Sequence, residues 1–85
     1  MSVDESGERI RLLSQDVPVQ TLRQVAVWLE EIRDKIVNEL GADHPHVHTI
    51  GQSVGARITE IDHLTGSLQA LQAEIETIGD QVGGI

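Results

Sequence analysis

The chain contains no cysteine, no phenylalanine and no tyrosine, and a single tryptophan, Trp28. Without cysteine there is no disulfide to staple the fold and no thiolate for catalysis or metal binding. Without aromatics, any core has to be assembled from Leu, Ile and Val. Bases are scarce as well: six Lys and Arg stand against 14 Asp and Glu, a formal net charge of -8. That balance excludes a nucleic-acid backbone or an anionic membrane surface as the main partner, since both require clustered cations. No apolar run is long enough to span a bilayer, and Asp4, Glu5 and Glu8 interrupt the region a cleavable leader would occupy. The chain reads as a cytoplasmic protein that contacts neither nucleic acid nor membrane. What remains is 85 residues, 39% of them hydrophobic, which allows one small folded domain.

The hydrophobic residues are ordered. With Val47 as heptad position a, that position recurs at Val54, Ile61, Leu68, Ile75 and Val82. Position d falls on Ile50, Leu64, Leu71, Ile78 and Ile85, with Arg57 the one exception. A repeat of 3.5 residues held this long predicts one helix over 45–82 with a coiled-coil-like a/d seam. Upstream, Leu22, Val25, Trp28, Leu29, Ile32, Ile36 and Leu40 predict a helix over 18–40. Val19, Ala26 and Val37 widen its apolar face to roughly half the circumference. Ile10, Leu13 and Val17 suit a short helix over 8–17, out of phase with the next at Pro18. Asp16 is the expected cap of the helix that follows.

Gly41-Ala42-Asp43-His44-Pro45 is the expected turn, with Gly41 ending one helix, Asp43 capping the next and Pro45 in its first turn. So short a connection predicts an antiparallel hairpin whose facing residue numbers total about 86. The expected fold is all-α: a coiled-coil-like two-helix hairpin, residues 1–85 as one domain, with a short or kinked N-terminal segment. Gly51, Gly55, Gly66 and Gly79 are read as lying off the seam, each weakening the helix by about 1 kcal/mol.

Chemistry-bearing residues are few. His44, His46 and His48 beside Asp43 are weak candidates for a metal or proton-sensing cluster. His63 lies about 22 Å further along the same helix and cannot complete it. Arg57 is expected either to face solvent over a packed stem or to pair with an acid on the facing helix. No nucleophile-base arrangement and no glycine-rich phosphate loop is present, so neither enzymatic activity nor a cofactor is expected.

The broad face of the first helix exceeds what one neighbour can cover. Leu22, Val25, Trp28, Leu29, Ile32 and Ile36 are therefore the expected protein interface, with Trp28 and Ile32 bare on an isolated hairpin. A second hairpin, identical or similar, would complete a four-helix bundle. The function expected is that of a partner or adaptor binding itself or another helical protein. The alternatives are a metal- or pH-responsive regulator built on His44, His46 and His48, or a structural subunit of a larger assembly.

In size, acidity, lack of cysteine and hairpin pattern over residues 8–85, the chain resembles the small WXG-type helical hairpins of bacterial type VII secretion and their hairpin partner proteins. Where that family has Trp-x-Gly in the turn, this chain has Gly41-Ala42-Asp43-His44-Pro45, and Trp28-Leu29-Glu30 lies inside the first helix. The tail Gly79-Asp80-Gln81-Val82-Gly83-Gly84-Ile85 is without the family's Tyr-x-x-x-Asp/Glu export signal. The resemblance implies a helper or pairing partner rather than an exported member.

Overall fold

A computed structural model describes residues 3–84 of the chain; Ile85, the last expected d position, lies outside the described residues. Three α-helices follow one another: α1 over Val3–Leu13, α2 over Val19–Leu40 and α3 over Pro45–Gly83. Among the described residues there is no strand. The fold is all-helical, and its helices form an antiparallel hairpin.

α1 begins at Val3, five residues earlier than the apolar pattern suggests. Between α1 and α2 the backbone tightens into a 3-10 turn at Ser14–Asp16. Val17 is then extended, with φ -66° and ψ 124°. That conformation is forced on a residue preceding proline, whose ring clashes with a helical neighbour. Asp16 belongs to the 3-10 turn and not to the cap position before Val19, so it does not start α2 as expected.

The second connection follows the sequence more closely. Gly41 adopts φ 89°, the left-handed region open to glycine, and donates its N–H to the Val37 carbonyl at 2.8 Å. This is the single-bond helix terminator that glycine favours. The cap of α3 is His44 and not Asp43: the His44 Nδ1 accepts the His46 backbone N–H at 3.1 Å. Pro45 occupies the first helical position, where a missing N–H costs nothing.

The chain divides into two compact units, residues 1–19 with 65–85, and residues 20–64. In the first, α1 runs antiparallel to the last part of α3. Gly7 meets Gly79, and Ser14 meets Gln72, each pair of numbers totalling 86. The helices approach so closely that a Cβ on Gly7 would lie 2.6 Å from the Gly79 carbonyl oxygen. A Cβ on Gly79 would lie 2.7 Å from the Gly7 oxygen and would also strike the Arg11 side chain. Gly79 is therefore buried at the closest contact, the opposite of the off-seam position expected for it. Gly55 and Gly66, by contrast, are exposed, with open space around them.

Polar ties finish this crossing. The Ser14 carbonyl, which closes the 3-10 turn by accepting the Val17 N–H at 3.3 Å, also accepts from the Gln72 Nε2 at 3.1 Å. The buried Ser14 hydroxyl has one proton, which goes to the Arg11 carbonyl at 2.7 Å; the Glu76 carboxylate at 3.4 Å is a weaker second acceptor. Arg11 Nε reaches Asp80 at 3.3 Å. That pair is solvent-exposed and contributes at most about 1 kcal/mol.

In the second unit, α2 and the first part of α3 flank the Gly41 turn. Leu22, Val25, Ala26, Leu29, Arg33, Ile36 and Val37 are half-buried on α2. On α3 the covered positions are Val47, Ile50, Gly51, Val54, Ile58 and Ile61, with Val54 only 6% exposed.

Candidate interaction surface

The covered rows of α3 define its own-chain seam. Every a position from Val47 to Val82 is at least half-buried, as expected. Beyond Ile50, a d position that is half-buried, the second covered row is e and not d: Gly51, Ile58, Thr65, Gln72 and Gly79. The d positions Leu64, Leu71 and Ile78 are between 41 and 49% exposed. Both choices keep a 3.5-residue period, so periodicity does not separate them. Side-chain bulk does. In the e row Gly79 lets the Gly7 backbone come close, with Thr65 and Gln72 ahead of it, whereas d is large aliphatic wherever it is apolar. The Gly7–Gly79 crossing takes the smaller row, and Leu64, Leu71 and Ile78 are left outward.

In an antiparallel pair, the residues immediately before the inward-facing ones on both helices lie on one side. On α2 these are Trp28 and Ile32, preceding the half-buried Leu29 and Arg33. They share that side of their unit with the half-buried Ile50 and the exposed Arg57. In the other unit, Leu13 precedes Ser14 on α1 and shares a side with Leu71 and Ile78. Trp28 is 54% exposed and Ile32 50%, and Leu13, Val27 and Leu40 are comparably bare. Of the six expected interface residues, Leu22, Val25, Leu29 and Ile36 are half-covered within the chain. Trp28 and Ile32 stand free.

Just beyond Ile32 the surface of α2 dips into an apolar depression lined by Ile32, Lys35, Ile36, Glu39 and Leu40. A second shallow depression on α3 is lined by Ala73, Glu74, Thr77 and Ile78. Arg57, at its d position, is exposed and pairs with Glu60 of its own helix at 3.3 Å. It thus takes the solvent-facing alternative and not an acid on the facing helix.

The histidines do not converge on a point. The His44 and His46 rings stack, centroids 5.2 Å apart, while the His44 Nδ1 lone pair is engaged in capping α3. Among the described residues no group of three His, Asp or Glu is placed to hold a metal ion. No buried side-chain N or O among them lacks a hydrogen-bond partner, so no orphaned polar group marks a pocket for chemistry. Among the described residues, no helix is long and apolar enough to cross a membrane.

The Gly7–Gly79 contact and the e row were missed by pattern reading. One signal for them was present: Gly79 and Gly83, four apart, share a helix face. Compared with known protein families, curated proteins and solved structures, the chain matches none.

Proposed function

We propose that the protein is a non-enzymatic helical interaction module, a partner or adaptor acting inside the cell. It engages another helical protein, or itself, through exposed apolar side chains, Trp28 and Ile32 on α2 and the outward d positions on α3. One observation carries this reading: the exposed apolar side chains Leu64, Leu71 and Ile78 are seven residues apart. Another helix laid along α3 at a small crossing angle meets every seventh residue in register, and few other ligands do. A merely tolerated hydrophobic surface has no reason to keep that period. The resemblance to the hairpin partners of type VII secretion points the same way, toward a partner that is itself a helical hairpin.

The lack of cysteine makes a direct test available. Single variants Leu71→Cys and Ile78→Cys, with Thr77→Cys as the off-row control, are labelled with a thiol reagent in dilute purified protein and in cells that natively make the chain. Protection at 71 and 78 in cells, with 77 still reactive, is the expected result. Equal reactivity at all three in both settings would sink the proposal.

A further inference from the structure

Resting on that reading, we infer that the occupant of the α2 part of this surface is a second copy of the chain, paired two-fold and antiparallel through α2. The argument begins with charge. α3 carries five acids and one base, so a copy laid against α3 meets like charge along its length. α2 carries three bases and four acids and holds half of the chain's basic residues. It is the long helix on which a copy meets the weaker repulsion, a net charge of -1 against -4 for α3.

Shape agrees with charge. Trp28, Ile32, Ile36 and Leu40 form one i, i+4 ridge, and Glu31, Lys35 and Glu39 form the ridge beside it. When two α2 helices run antiparallel with facing numbers totalling about 66, Ile32 of one copy lies midway between Ile32 and Ile36 of the other. The same register brings Trp28 of each copy to the depression that Ile32, Lys35, Ile36, Glu39 and Leu40 line on the other. A helical side chain leans toward its own N-terminus, which carries the indole toward the Leu40 end. Lys35 of each copy is then level with Glu31 of its mate, twice by symmetry. Knob, hole and charges are all on one helix, which is what a self-complementary two-fold contact requires. The contact is one ridge deep, smaller than the ~800 Å² per partner of a standard stable interface, so pairing is weak and concentration-dependent.

The test uses the full chain. Sedimentation equilibrium over a concentration series is run beside the emission of Trp28, the sole tryptophan. Dimer formation with a parallel blue shift is expected. Lys35→Glu alone and Glu31→Lys alone each place like charges across the contact and should weaken pairing about tenfold. Mixing the two variants restores both ion pairs and should recover the affinity. A wild-type chain that stays monomeric throughout overturns self-pairing while leaving the thiol-protection result to judge the broader reading. Dimers whose Trp28 emission does not move, or that ignore the charge exchange, place the contact elsewhere and overturn it too.

Discussion

Gly79 and Gly66 lie on the same helix, and their alanine variants should change stability in opposite directions. Alanine is the better helix former by about 1 kcal/mol. At Gly66, exposed with open space beside it, that gain is realised, and thermal melting should show stabilisation of roughly 0.5–1 kcal/mol. At Gly79 the new methyl meets the Gly7 carbonyl oxygen, a backbone atom that cannot rotate away. The helices must separate, at a cost of about 1–3 kcal/mol. Equal shifts in the two variants would show that the crossing is looser than described. His44 is a second residue of this kind. Its Nδ1 satisfies one of the free N–H groups at the start of α3. His44→Ala should cost about 1 kcal/mol, and His44→Asp should retain or exceed wild-type stability, since an anionic cap also complements the helix dipole. Chemical denaturation of the two variants separates capping from ring stacking, which both remove.

At the scale of the element, α3 carries three apolar or small rows with two destinations. Substitutions should reveal the division. Leu71→Gln and Ile78→Gln, on the outward row, are expected to change the stability of the dilute chain by less than about 0.5 kcal/mol. Val54→Ala, on the inward row, should cost about 2 kcal/mol. Urea titrations that rank them the other way would return the seam to a and d. The hairpin, its turn and the break at Pro18 were legible in the sequence because each rests on a local rule: heptad spacing, left-handed glycine, a ring that excludes the helix before it. The a row was legible for the same reason. The choice of e over d was not, because it depends on how near the neighbouring backbone comes, and that distance is set by Gly7, 72 positions from its contact. The caps were misplaced by one residue at His44 because side-chain reach, and not residue type alone, decided which group met the first free N–H. The surface was half legible: Trp28 and Ile32 were expected to stand bare, whereas the outward turn of Leu64, Leu71 and Ile78 needed the packing to be seen.

For the whole molecule, covered aliphatic surface is scarce. Among the described residues only Val19 and Val54 count as buried hydrophobics, and no large side chain is fully enclosed. A chain of this size without disulfides has a few kcal/mol of stability at most from its own core. Anything that covers Trp28 or the d row only when the chain is folded adds to that by mass action. The melting temperature should therefore rise with protein concentration, and Trp28→Glu should abolish the dependence. Calorimetric scans across a concentration series that give one invariant midpoint would mean the isolated chain is self-sufficient.

The glycine crossing has a kinetic corollary. The Gly41 turn closes contacts a few residues apart, as between His44 and Gly41, whereas Ser14 and Gln72 are separated by 58 positions. Loop closure of that length is entropically dearer, and contacts of long separation form late. The α2–α3 turn should nucleate, and α1 should zip onto a preformed α3 after the rate-limiting barrier. A late-forming contact governs how fast the native state is lost and not how fast it is reached. In stopped-flow chevrons, Gly79→Ala should steepen the loss of the native state, raising the unfolding rate while the refolding limb stays put. The two small residues would then act as the latch that sets the native state's lifetime.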